Sequence, residues 1–357
     1  MSELIPAAVD APVLHHGDCL AFMRSMPAAS VHLIFVNPPY FKVKNEAWDR
    51  QWDKPAGFLA WMGELADEWR RILAPNGSLY CCASPRMQAR VECVIAERFE
   101  ILNSIVWVKD GHGVHSKACK EDLRSYFPNT ERIIFAEQLG ADSMAMGESG
   151  YEAQCERLRG FVFEPLRAYM VSEMLRAGHT IVKVDAAWQA MRKSKGHMAG
   201  HWFGATQWEL PTEANYRWLR TLFGAEYLRR EYEDLRREYE DLRREFEALR
   251  RPFSVTAEVP YIDVWTFPTV AHYPGKHPCE KPAALIDHVI TVSSRPGDVV
   301  FDGFMGSGAT GERAALLGRR FVGCELGDYF HAAEQRVLAA AEHGQAFVPP
   351  KRGRKSE

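Results

Sequence analysis

The sequence lacks the usual marks of a secreted, metal-binding or membrane protein. Its eight cysteines include one adjacent pair, Cys81-Cys82, and no Cys-x-x-Cys spacing. That argues against a zinc site and against a disulfide framework. No uninterrupted apolar stretch approaches the ~20 residues of a membrane-spanning helix. Residues 1–12 have neither a basic segment nor an apolar one after it, so no signal peptide is expected. Positive charge is not in excess either: 44 Lys and Arg stand against 47 Asp and Glu, for a net charge of -3. Any nucleic-acid surface must then be a local patch on an acidic body. These absences lead us to expect a cytoplasmic protein with no membrane or metal partner.

What is present is an alternation of two periods. Short apolar runs at Ala11–His16, Val31–Val36, Ser78–Ala83, Ile101–Lys109 and Arg132–Glu137 read as strands, with a turn at Pro75-Asn76-Gly77. Between them, Cys19–Met26, Phe58–Leu73 and Met87–Glu97 carry apolar residues at helical spacing. The pattern stops near residue 140 and resumes at Val255. It then gives a strand near Val264–Phe267, a helix at Ala283–Val292, a strand at Val299–Phe301, a helix at Ala309–Leu317 and a strand at Arg320–Cys324. Strands alternating with helices imply a mostly parallel sheet covered on both faces.

The segment between differs. It holds a polar loop at Ala141–Gln154, helices at Pro165–Ala177 and at Thr212–Phe223, and a basic stretch with aromatics from Met191 to Phe203. It also holds the chain's one clear repeat, Glu-Tyr-Glu-Asp-Leu-Arg-Arg. Leu228, Tyr232, Leu235, Tyr239, Leu242, Phe246 and Leu249 fall at alternating spacings of four and three, a heptad seam ended by Pro252. The seam suits pairing with a second copy, packing on its own domain, or a solvated arm that offers Arg pairs to phosphate; a homodimer is the favoured reading. The domains expected are 1–139 and 255–345 as two halves of one catalytic domain, 140–254 as an insert with the heptad helix at 228–251, and 346–357 as a basic disordered tail.

Two motifs carry chemistry. After the Val299–Phe301 strand comes Asp302-Gly303-Phe304-Met305-Gly306-Ser307-Gly308, followed by a helix. A strand, a glycine-rich turn and a helix bring backbone close to a nucleotide-like ligand. No Lys-Ser/Thr follows, so this is not a phosphate-cradling Walker loop. Glu325, at the end of the next strand, is placed to accept hydrogen bonds from ribose hydroxyls. Earlier, Asn37-Pro38-Pro39-Tyr40 ends the apolar run Val31–Val36. Pro38 holds Asn37 extended and offers no N–H of its own. The Asn37 side chain and the Pro38 carbonyl are therefore two acceptors for the two hydrogens of an aromatic amino group. Tyr40 supplies a ring for a base to stack on. Asn37 is no base at neutral pH, so orientation and proximity would supply most of the rate.

In this order, with Gly17-Asp18 before them and His277-Pro278-Cys279-Glu280-Lys281-Pro282 between, the motifs resemble those of the beta-class DNA amino-methyltransferases. The resemblance covers roughly residues 11–137 and 255–340. It implies a Rossmann-like α/β fold with a permuted, mostly parallel mixed sheet and an inserted, mainly helical target-recognition domain. It implies S-adenosyl-L-methionine as cofactor and double-stranded DNA as partner, with the target base flipped out. By the same resemblance Asp18 contacts the cofactor adenine and Glu325 its ribose, while Asp302, Phe304 and Gly306 line the methionine and adenosine portions. His277, Lys281, Gly303, Ser307, Gly308 and Thr310 complete the expected cofactor set.

Two departures from the class pattern are Asn37, where Asp is usual, and the cofactor turn, where Gly303 replaces a usual Pro and Ala309 a usual Thr. Asn37 favours adenine N6 over cytosine N4. Methylation of an RNA base or a protein glutamine, and a DNA-binding module without catalysis, are the other readings. For DNA, Trp48, Arg192, Lys193, Lys195, His197 and His201 are the expected contacts, with Gln189 or Gln207 reading base edges.

Overall fold

A computed structural model describes residues 11–110, 126, 129–139, 162–193, 195–205, 208–254 and 262–350. The expected loop at 141–154, Gln207 and the tail from 351 on lie outside that set. The described residues fall into two compact units, one within Met1–Gly147 and Arg251–Glu357, the other within Glu148–Arg250.

The first unit is built on an eight-stranded sheet. In chain order the strands are β1 (Val13–His16), β2 (Val31–Val36), β3 (Leu73–Ala83), β4 (Phe99–Asp110), β5 (Thr130–Gln138), β6 (Val264–Pro268), β7 (Val299–Asp302) and β8 (Arg320–Glu325). Across the sheet they run β1-β8-β7-β2-β3-β5-β4-β6. Only β5 is antiparallel to its neighbours. Two strands from the end of the chain thus lie between two from its start: Val13 faces Val322, and Leu33 faces Val300.

Near-continuous apolar strands fit a sheet covered on both faces. Helices α1 (Cys19–Ser25), α2 (Pro55–Ile72) and α3 (Gln88–Ala96) cover one face; α9 (Ala283–Ser293), α10 (Ala309–Leu316) and α11 (Phe330–His343) cover the other. Strand β2 shows why. Ile34 and Val36 pack with Met62, Leu65 and Trp69 of α2, whereas Leu33 and Phe35 pack with Leu285, Ile286 and Val289 of α9. The expected turn at Pro75-Asn76-Gly77 is instead inside β3. Register against β2 jumps from Val31–Leu73 to Leu33–Ser78, so residues 74–77 form an irregular bulge in one strand.

The parallel set β1-β8-β7-β2 decides where chemistry can occur. All four strands end on one edge, which gathers Gly17-Asp18, Glu325, Asp302–Gly308 and Asn37–Tyr40. Open α/β sheets hold their ligands at that edge.

The second unit is helical among its described residues: α4 (Glu164–Arg176), α5 (Ile181–Arg192), α6 (Ala199–Phe203), α7 (Glu213–Phe223) and α8 (Tyr232–Leu249). Thr180 and Thr212 cap α5 and α7 by accepting from the N–H groups of Lys183 and Asn215. The core contains Leu166, Met170, Trp202, Trp208, Tyr216 and Leu219. Six of the seven heptad positions join this core. Leu228, Leu235 and Phe246 are buried in it, and Tyr232, Tyr239 and Leu242 pack against it. Leu228 lies ahead of α8 at φ 50°, where Glu173 accepts its N–H at 2.8 Å and Tyr216 donates to its carbonyl at 3.0 Å. Much of the heptad face thus packs within its own unit, with Tyr232, Tyr239 and Leu242 half-buried. A short, Tyr-containing seam is weak as a free coiled coil but suffices as one wall of a core.

Candidate active site

A cavity of about 350 Å³ opens at the shared strand edge of the first unit. Asn37, Pro38, Pro39 and Tyr40 form one side of it; Gly303, Phe304 and Gly306 form another, with Asp18 and Glu325 nearby.

Asn37 is fixed end for end. Its Nδ2 donates to the Cys279 carbonyl at 3.2 Å. A carbonyl can only accept, so the amide's nitrogen must point there and its oxygen the other way. That oxygen, Oδ1, is buried and has no hydrogen-bond partner among the described residues. A buried acceptor without a donor costs roughly 1–3 kcal/mol. The site therefore gains when an N–H group is brought to Oδ1.

Tyr40 is held from below and behind. Its hydroxyl donates to Glu131 Oε2 at 2.8 Å and accepts from Lys281 Nζ at 3.0 Å. Glu131 is in turn clamped by Lys281 and Lys109, each at 2.6 Å. Burial alone would raise the Glu131 carboxyl, but the two ammonium groups outweigh it and hold it at about 2. Burial and the Glu131 charge push the Tyr40 hydroxyl up, so it stays protonated and keeps donating.

The chain then turns sharply, with Phe41 at φ 64° and Lys42 at φ 60°. Neither is glycine, so this left-handed pair needs support. Asp49 supplies it: fully buried, it accepts the N–H groups of Tyr40, Val43 and Lys44, each at 2.6 Å. The loop so fixed brings Lys44, Glu46 and Trp48 to the cavity, where Trp48 stacks on His277 at 6.2 Å.

On the other side, Glu325 ties down the glycine turn. Its Oε2 accepts from Gly306 N at 2.8 Å and its Oε1 from Gly327 N at 2.8 Å. Gly306 sits at φ 50° with the His277 ring 3.0 Å from where a Cβ would lie. Burial, then Lys281, Lys44 and Lys276, push His277 down to about 4, so its ring is neutral near pH 7. A side chain at Gly303 would meet Cys19 Sγ at 2.3 Å, which explains why this chain has glycine rather than proline there.

Asp302 is buried and accepts from Phe304 N at 3.0 Å. Burial pushes its carboxyl up to about 7, and the Glu325 charge adds to this against hydrogen bonds from Thr310 and Phe304. In the unfolded chain the same group titrates near 3.8. The folded state thus holds the proton more tightly, and stability is lost as pH rises from about 4 through about 7. Asp302→Asn should accordingly gain stability on the parent by about 2 kcal/mol more at pH 8 than at pH 5, as read by urea unfolding. An equal difference at both pH values would count against a raised Asp302.

The N6/N4 DNA methylase family model matches residues 31–336, which spans both motifs and everything between them. The chain belongs to that DNA methylase family. It is 27% identical to the DNA adenine methyltransferase YhdJ of Escherichia coli, over 94% of this chain and 86% of that protein. It is 24% identical to the type II methyltransferase M2.DpnII of Streptococcus pneumoniae, over 92% and 91%. Among solved structures, the cytosine-N4-specific PvuII DNA methyltransferase shares the fold, with TM-score 0.51 and 12% identity over 97% of this chain and 98% of that one.

In this DNA methylase the expected site residues divide. Asn37, Pro38, Pro39, Tyr40, Trp48, Asp18, His277, Gly303, Phe304, Gly306 and Glu325 line the cavity. Asp302, Ser307, Gly308, Thr310 and Lys281 do not. Asp302 and Thr310 brace the turn from behind, and Gly308, at φ 75°, precedes α10 as its N-cap. Lys281 lies under Tyr40, where its ammonium group donates to the Tyr40 hydroxyl and to Glu131. Asp18 also caps α1 through Ala21 N at 2.8 Å.

In the helical unit Arg192, Lys193, Lys195 and His197 are exposed, and His201 is half-buried. Arg192 lies over the Trp188 ring, His197 pairs with Asp185 at 3.3 Å, and Gln189 donates to Gly196 O. Sequence reasoning missed Asp49 and Glu131. A lone Asp in a polar loop and a Glu near the start of a strand carry no local signal; only the fold shows what they hold. Among the described residues no cluster of His, Cys, Asp and Glu could hold a metal, and no helix is long and apolar enough to cross a membrane.

Proposed function

We propose that this methylase transfers a methyl group from S-adenosyl-L-methionine to the N6 amino group of a flipped-out adenine in double-stranded DNA. The observation that carries the reading is the buried Asn37 Oδ1 at the cavity, which has no partner among the described residues. It is an acceptor waiting for an N–H, and the Pro38 carbonyl beside it is the second. An exocyclic amine engaged through both hydrogens is held with its nitrogen lone pair directed away from them. Tyr40, braced by Glu131 and Lys281, is the platform for the base. Adenine is favoured by Asn37 and by the relative YhdJ, which is named a DNA adenine methyltransferase.

The residues present fit the cofactor. Asp18, Glu325 and Asp328 give the cavity an acidic side suited to ribose hydroxyls and a positive centre, and Phe304 and Trp61 give it aromatic surface. S-adenosyl-L-methionine supplies an electrophilic methyl group on a sulfonium sulfur. The chain's part is to hold donor and acceptor in line and to exclude water, since no side chain needs to take the amine's proton before transfer.

The insert serves target recognition. The exposed Arg192, Lys193, Lys195 and His197 contact phosphates, which predicts salt-dependent binding, and the enzyme acts in the cytoplasm on its DNA substrate. Single-molecule sequencing of plasmid DNA treated with the protein and cofactor tests the reading and gives the recognition site. Modified adenines in one sequence context are expected; modified cytosines would replace the adenine assignment with cytosine N4.

A further inference from the structure

The target-amine motif and the glycine turn are far apart in sequence, and one dipeptide touches the supports of both. Cys279 accepts the Asn37 Nδ2 hydrogen bond that aims Oδ1 at the target. Glu280, the next residue, is almost fully buried, with its side chain 3% exposed. Its Oε1 accepts from Arg336 at 2.8 Å and its Oε2 from the Tyr273 hydroxyl at 2.5 Å. Arg336 also bonds Glu312 in the first turn of α10 at 2.6 Å and reaches the Ser307 carbonyl of the glycine turn at 3.4 Å. The ring of Phe347 lies against its guanidinium at 4.5 Å. Neither Glu280 nor Arg336 lines the cavity, so both act through other residues.

We propose that Glu280 and Arg336 are a pair of positioning residues that sets the distance between the Asn37 acceptor and the cofactor turn. The proposal rests on the functional reading above. A planar, five-donor guanidinium between two buried carboxylates is a rigid link, and lysine would not replace it. Methyl transfer by in-line displacement is sensitive to that distance: a shift of about 1 Å between reacting groups costs on the order of 100-fold in rate. Binding of either partner alone does not need the two subsites in register. The link should therefore show in kcat and not in affinity.

The test is Glu280→Gln, assayed with labelled S-adenosyl-L-methionine and plasmid DNA. Glutamine keeps the size and the acceptor for Tyr273 but loses the charge facing Arg336. The expected result is a kcat at least tenfold lower, with KM for DNA and calorimetric cofactor affinity within about twofold of the parent. Tyr273→Phe, which removes one hydrogen bond from Glu280, should lower kcat about threefold with the same unchanged affinities; this variant decides if Glu280→Gln does not fold. Parental kcat in either folded variant, or losses of affinity and rate in equal proportion, would overturn the proposal. A parent that binds cofactor but transfers no methyl to DNA would instead overturn the functional reading.

Discussion

Asn37→Ala should lower kcat by about 100- to 1000-fold while cofactor binding, measured by calorimetry, stays close to the parent's. The argument is local. Among the described residues Oδ1 is the one buried side-chain acceptor at the cavity that has no donor, and its direction is enforced by the Cys279 carbonyl. Alanine removes that acceptor and leaves the Cys279 carbonyl unpaired. The target amine then keeps one of its two proposed partners, and its lone pair is no longer aimed. Asn37→Asp should fall between the two. It restores an acceptor but sets an oxygen against the Cys279 carbonyl, which repels it. An alanine variant with parental kcat would remove Asn37 from the mechanism.

Glu131→Ala should destabilise the fold by about 3–5 kcal/mol, the cost of stripping a buried ion pair of one partner. Lys281 is buried and has Glu131 as its counter-charge at 2.6 Å; Lys109 shares it. The linkage argument gives a similar size. The folded carboxyl sits at about 2 against 4.5 in the unfolded chain, which corresponds to roughly 3 kcal/mol. Because the folded value is depressed, this stability is present above about pH 4.5 and lost as pH falls toward about 2. Urea unfolding of parent and variant should therefore differ most at neutral pH and converge in acid. A difference independent of pH would mean that packing, not the charge cluster, is what Glu131 provides. Tyr40 loses its hydroxyl acceptor in the same variant, so activity per folded molecule should fall as well.

The sequence reveals much of this fold because its strands are near-continuous apolar runs and its motifs follow them directly. Val31–Val36 and Val299–Phe301 read as buried strands, and each carries its motif at its end. Placing the two motifs together needed their order in a known pattern, since no periodicity states that β7 lies beside β2. The Pro75–Gly77 segment read as a turn because proline and glycine punctuate chains; a bulge inside β3 accommodates the same residues. The heptad pattern was legible, but not its partner: period alone cannot say whether a seam faces a second copy or Trp208 and Tyr216 of its own unit. Lys281 stands in a motif beside the turn, and that much is legible. Its ion-pair partner, Glu131, comes from a distant strand that no local pattern identifies. Asp49 was illegible for the same reason, since its three backbone hydrogen bonds exist only once Phe41 and Lys42 adopt their left-handed turn.

The most direct measurement takes the parent protein, duplex DNA of mixed sequence and methyl-labelled S-adenosyl-L-methionine, digests the product to nucleosides and separates them. Label in N6-methyldeoxyadenosine, appearing about 100- to 1000-fold more slowly when Asn37→Ala is used, is the predicted result. Label in N4-methyldeoxycytidine, or no label in DNA from a protein that binds the cofactor, would contradict it.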